Sequence, residues 1–159
     1  MIGTRNNLWM SHVYTPLAAG IITAIYYHAF ENVRSKKLVL AGFALLLMVS
    51  IFDAFGLEGL EKNNTFARLA SNSFIIVLAI SYFYKIANDM KTVYLDRDPL
   101  FLLSCTILIY YAGTSMASAL FNQALEVSHD AARICLSVVF ILNILFNAGQ
   151  GFVLKRMAA

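Results

Sequence analysis

The sequence predicts an all-α membrane protein, an up-down bundle of five transmembrane helices forming a single transmembrane domain. Composition is the first reason: the 159 residues are 60% hydrophobic and only 13% charged, with a mean hydropathy of +0.69, beyond the apolar share of about half that a soluble chain carries. The second is charge placement. Charged residues gather in islands at residues 31–37, 58–62, 89–98 and 126–133, which read as loops. The third is length: between the islands lie five apolar runs, each long enough to cross a hydrocarbon core of roughly 30 Å at 1.5 Å per helical residue.

The first run covers residues 8–30, behind a stretch whose only basic residue is Arg5. It exceeds the apolar core of a signal peptide, and no small-residue cleavage site follows, so it is expected to stay as a span. Pro16 should kink it or mark a locally broken first turn. The second run, residues 38–57, carries Asp53, the only acidic residue well inside any run. The third, residues 66–86, has Arg68 less than a turn inside its start. The fourth covers residues 99–121 and the fifth residues 132–154. Connections of roughly 7 to 12 residues predict antiparallel neighbours. The runs lack two-residue alternation and are too long for barrel strands.

Orientation follows from Lys and Arg. Arg34, Lys36, Lys37, Lys85, Lys91, Arg97, Lys155 and Arg156 fall on one side; Arg5, Lys62, Arg68 and Arg133 fall on the other. The bias predicts a multi-pass protein of a cell inner membrane, N-terminus outside and C-terminus cytoplasmic. Aromatics such as Trp9, Tyr14, Tyr26 and Tyr82 gather near run ends, as an interfacial belt does.

Several function classes drop out. So few residues lie outside the runs that a nucleotide-binding or kinase module has no room, and any output must pass to a partner. The net charge of +3 is dispersed, so no nucleic-acid partner is expected. Cys105 and Cys135 lie inside apolar runs as small hydrophobic residues, with no disulfide framework. No Gly-rich phosphate loop, nucleophile elbow or HExxH is present. His12 and His129 fall near one predicted boundary, yet neither pairs at helical spacing with another ligand residue, so no metal, haem or other cofactor is expected.

The remaining polar residues are the candidates. An ionisable residue inside a membrane is costly and usually partnered, so Asp53 and Arg68 are expected to form an ion pair between adjacent helices, with a proton or ion site on Asp53 as the alternative. Ser104, Tyr111, Ser115, Ser118 and Asn122 share one face of the fourth span. Small residues from Ala112 to Ala119 would let another helix approach that face closely. Asn143, Asn147 and Gln150 form an amide stripe on the fifth span. Amides facing lipid would leave donors and acceptors unpaired, so the stripe must face a helix, another copy of the chain, or water. Interhelical packing is the expected role of both polar faces, and a polar lumen is the alternative.

Short motifs also carry a resemblance. Asn64-Thr65-Phe66-Ala67-Arg68 leads into the third span and Tyr82-Phe83-Tyr84-Lys85 closes it; Asp98-Pro99-Leu100-Phe101 and Tyr110-Tyr111-Ala112-Gly113 mark the fourth. On these motifs, from His12 to Gln123, the chain resembles an uncharacterised class of bacterial multi-spanning inner-membrane proteins whose membrane segment sometimes precedes a sensor histidine kinase. The resemblance implies the membrane segment of a sensor and transfers no functional residue.

Together these readings predict a non-enzymatic inner-membrane protein, an oligomeric sensing, scaffold or accessory subunit that assembles with itself or with a membrane partner. The alternative is a small homo-oligomeric channel or pore-forming effector whose lumen is lined by the fourth and fifth spans.

Overall fold

In the computed structural model the described residues are 8–57, 65–89, 95 and 98–158, and the regular structure among them is helical. Five helices follow one another: α1 (Leu8–Ala29), α2 (Val33–Phe52), continued by a π-helical turn (Asp53–Leu57), α3 (Thr65–Asp89), α4 (Pro99–Val127) and α5 (His129–Ala158). The chain divides into two units, Met1–Leu78 and Ala79–Ala159.

In the first unit, α1 runs on through Pro16 without a break in its helical assignment. The ring removes the N–H that would bond the carbonyl of residue 12, a loss one turn of a long helix absorbs. Only residues 30–32 separate α1 from α2. The Asn32 side chain accepts the Arg34 N–H at 2.9 Å, and its carbonyl accepts the Lys36 N–H at 3.0 Å, so Asn32 caps α2. The helices then pack: Gly20 lies against the Phe43 ring, and Gly42 of α2 against the Phe74 ring of α3. Tyr26, Leu46 and Ile75 are buried within this unit.

The second unit is built on an α4–α5 hairpin. Asp98 caps α4, with Oδ1 accepting the N–H groups of Leu100 at 2.9 Å and Phe101 at 3.3 Å, and Pro99 occupies the first turn, where its missing N–H costs nothing. The expected loop of some ten residues between these helices is a single residue, Ser128. Its extended backbone donates to the Ala124 carbonyl at 3.0 Å, and its Oγ accepts the Ala131 N–H at 3.0 Å. One side chain thus starts α5 where one N–H ends α4, and the charged island around it is helical because charged residues pair well enough with water on a helix surface. Thr106 faces Gly149, Tyr110 faces Phe146 and Gly113 faces Leu142, so each step along α4 is matched by a step back along α5. In this antiparallel register the free thiols Cys105 and Cys135 lie far apart along the hairpin.

Among the described residues, four helical segments are long and apolar enough to cross a membrane: Val33–Phe55, Phe66–Asp89, Pro99–Ala117 and His129–Arg156. The fifth expected span, α1, is long enough at 22 residues. His12, Thr15, Thr23, Tyr26, Tyr27 and His28 dilute its apolar character. Outward-facing Leu45, Met48, Ile51, Phe140, Ile144 and Leu145 are all exposed. An apolar surface of this extent is suited to lipid, since in water it would drive aggregation.

Candidate functional site

The polar interior of the first unit is concentrated at one end. There the end of α2 meets the start of α3 through Asp53 and Ala67, and His12 of α1 lines a cleft with Phe43 and Leu47 of α2. His12 and Thr15 on α1, Ser50 and Asp53 on α2, and Ser71 on α3 are all buried. Ser50 satisfies itself locally, donating to the Leu46 carbonyl at 2.9 Å. Thr23, further along α1, does the same to Ala19 at 2.6 Å.

Asp53 is the charged member of this group and is 0% exposed. It opens the π-helical turn, and its N–H is shared between the carbonyls of Ser50 and Val49. A π-turn widens a helix by one residue, and such turns recur at functional positions because they re-aim a side chain. Here the carboxylate is aimed at the beginning of α3. Oδ2 accepts the backbone N–H of Ala67 at 3.4 Å. This is one of the first-turn donors that a helix leaves without an internal acceptor, and the helix dipole favours negative charge there. Asp53 therefore caps α3 from a neighbouring helix. Its other oxygen, Oδ1, is buried with no hydrogen-bond partner among the described residues.

The backbone contact of the Asp53 carboxylate falls on the residue next to Arg68, the partner expected for it. Successive helical residues are turned by about 100°, so Ala67 points inward, 1% exposed, while the adjacent Arg68 is exposed and has an interaction of its own. Alanine replacements at Asp53 and Arg68 are therefore expected to add within about 0.5 kcal/mol in a double-mutant cycle. A coupling near the roughly 3 kcal/mol seen when one partner of a buried pair is removed would restore the ion pair.

On α4 the expected polar face is turned to packing and to its own backbone. Ser104 is fully buried and donates to the Leu100 carbonyl at 2.8 Å. Thr114 donates to Tyr110 at 2.7 Å. Tyr111 and Ser115 are half-buried. Tyr111 meets Phe146 of α5 edge-on at 6.1 Å, while Tyr110 stacks on the same ring at 4.4 Å. Ser118 and Asn122 belong to α4, and their side chains lie outside the described residues.

On α5, Asn143 and Asn147 are exposed and Gln150 is half-buried. Asn147 directs its amide nitrogen to the Asn143 backbone carbonyl at 2.7 Å and to the Asn143 Oδ1 at 2.8 Å. Both of its donors are used within the helix. The stripe is turned one residue away from Leu142, Phe146 and Gly149, which contact α4.

No family model, curated protein or solved structure matches this chain. Its function must be read from these side chains alone. Among the described residues, no three His, Cys, Asp or Glu side chains gather in a way that would hold a metal ion.

Sequence reasoning singled out Asp53 but missed the buried Thr15, Ser50 and Ser71 around the same end. The available signal was their common level: each lies near the same predicted boundary of its run. It also missed the Tyr82 hydroxyl, which donates to the Asp98 Oδ2 at 2.9 Å. Phe83 and Phe101 meet beside that bond with ring centres 5.2 Å apart. Two of the motifs that carry the resemblance thus meet in space at the start of α4.

Proposed function

We propose that this chain is a five-span, up-down inner-membrane protein, N-terminus outside and C-terminus cytoplasmic, that works by self-assembly through α5 as a sensing, scaffold or accessory subunit without enzymatic activity. One observation carries this reading: α5 gives one face to α4 and leaves Asn143 and Asn147 exposed on the next. Only 6% of its apolar window is buried, against 33% for α3. Asn147 spends its donors on Asn143, and both side chains are exposed. Facing hydrocarbon they would be costly. Facing the same stripe of a second copy, each donor meets an acceptor, and interhelical amide bonds in lipid are worth about 1–2 kcal/mol each at most. The membrane placement rests on the apolar helices, the orientation on the basic-residue bias, and the sensing role on the resemblance.

Replacing Asn143, Asn147 and Gln150 together by Leu should reduce the assembled fraction in mild detergent, read by size-exclusion chromatography with light scattering. The parent should carry no current in planar bilayers. Robust single-channel currents in the parent that vanish in a still-assembled triple variant would establish a water-lined lumen instead, because apolar replacement there raises a dewetting barrier.

A further inference from the structure

We propose that the cleft between α1 and α2 is a binding site for one anionic phospholipid, its headgroup at Lys36 and one acyl chain laid along α1. The inference is independent of assembly through α5 and rests on the membrane placement of these two helices proposed above.

Pro16, Gly20, Ile21 and Ala24 line the cleft on the α1 side and Phe43 and Leu47 on the α2 side, around a volume of about 630 Å³. That lies within the roughly 300–1,000 Å³ of small-molecule sites. Gly20 makes its floor: the Phe43 ring comes so close to the α1 backbone that an added Cβ would lie 3.2 Å from it. The lining is apolar apart from His12 at the far end. From residue 12 to residue 24 it extends about 18 Å, at roughly 1.5 Å per helical residue. That is a little over half of a hydrocarbon core of roughly 30 Å, the reach of an acyl chain in one leaflet.

The near end is charged. Beyond Gly20 and Ala24 the same face of α1 continues to Tyr27 and His28, and two turns before Phe43 the same face of α2 carries Lys36. These residues meet: the Lys36 Nζ lies 5.2 Å from the centre of the Tyr27 ring, which His28 meets edge-on at 5.6 Å. The ring fixes the ammonium by a cation–π contact, and a group with three donors keeps N–H bonds for an anion. Arg34 and Lys37 are exposed close by in sequence, against one carboxylate, Glu31, so this end is positive. The cleft is thus apolar where a tail would lie and cationic where a headgroup would sit. Basic groups between membrane helices hold acidic headgroups by this combination. A zwitterionic lipid has the same tail but brings its own cation toward Lys36, so headgroup charge decides the preference.

The test is photocrosslinking of the full chain in phosphatidylcholine vesicles. A trace of lipid with a diazirine in its acyl chain is added, as either phosphatidylglycerol or phosphatidylcholine, and labelled residues are mapped by mass spectrometry. The anionic probe should label residues 16–24 and 43–47 several-fold more than the zwitterionic one, while exposed Ile144 and Leu145 of α5 take up both equally. The preference should vanish in Lys36→Gln, survive in Lys36→Arg, and largely survive in Lys37→Gln, which removes the same charge from the next residue. Ala24→Phe, at an exposed position, should cut labelling of the cleft by filling it. Equal labelling of the cleft by the two probes would overturn the proposal, as would equal losses in Lys36→Gln and Lys37→Gln, which would mean diffuse attraction. A cleft that neither probe reaches, beside labelled Ile144 and Leu145, would mean that protein covers it and would overturn the lipid site while leaving the membrane placement standing. Absence of labelling on α5 as well would overturn both.

Discussion

Gly149→Ala is expected to destabilise the α4–α5 hairpin by about 1–3 kcal/mol, the usual cost of forcing extra volume into a packed contact. Gly151→Ala, two residues further on, is expected to stabilise the same helix by about 0.5–1 kcal/mol, the difference between glycine and alanine in a helix interior. Surroundings produce the opposite signs. A Cβ on Gly149 would clash with Cγ2 of Thr106 and fall 3.2 Å from its Cβ. That neighbour cannot swing aside. Threonine is stiff at χ1, and the Thr106 hydroxyl is anchored to the Leu103 carbonyl at 2.8 Å. Gly113, across the same interface, would meet the flexible end of Leu142 and should tolerate alanine better. Gly151 has nothing within 4 Å of its added carbon. Thermal unfolding of the two variants in mild detergent, followed by far-UV circular dichroism, checks the contrast. Equal midpoints for Gly149→Ala and Gly151→Ala would mean that α4 and α5 do not pack in this register.

The larger expected loss is at the start of α4, where Asp98→Ala should cost about 2–4 kcal/mol. Two effects combine. Removing the cap takes away the acceptor for Leu100 and Phe101, worth typically about 1 kcal/mol. Losing the other oxygen leaves the Tyr82 phenol, 7% exposed, without its charged acceptor, and hydrogen bonds to charged groups contribute about 1.5–3 kcal/mol. Asp98→Asn keeps a capping oxygen and should lose less. Tyr82→Phe removes only the second effect, so the Tyr82→Phe, Asp98→Ala double variant should fall short of the sum of the singles by about 1 kcal/mol or more. Strict additivity in chemical unfolding would show that the hydroxyl and the carboxylate do not interact.

Much of the local structure follows from features a reader of the sequence can point to. Each helix coincides with an apolar run, because a run of that length without alternation satisfies its backbone only as a helix. The runs fall short at their edges. The island at residues 126–133 was expected to be a loop, yet it is helix on both sides of Ser128. Charge marks contact with water, and a water-exposed helix turn is as charged as a loop. The amide stripe was legible as a face, but its use was not: only the coordinates show Asn147 bonding to Asn143 one turn back along its own helix.

Asp53 separates the two kinds of information most clearly. Its rarity inside an apolar run is a sequence property, and so is the expectation that another group must answer its charge. Which group answers depends on a rotation of one residue about the axis of α3. That rotation turns Ala67 and its free N–H toward α2 and carries Arg68 to the surface. The sequence by itself determined the helical class, the apolar lengths and the polar residues that need partners, because these depend on each segment's own transfer from water to an apolar surrounding. Tertiary structure alone decided the single-residue turn at Ser128, the close approach of Gly149 to Thr106, and the pairing of Asp53 with a backbone N–H. Those outcomes depend on the rotation and register of one helix against another, quantities set jointly by side chains far apart in the chain.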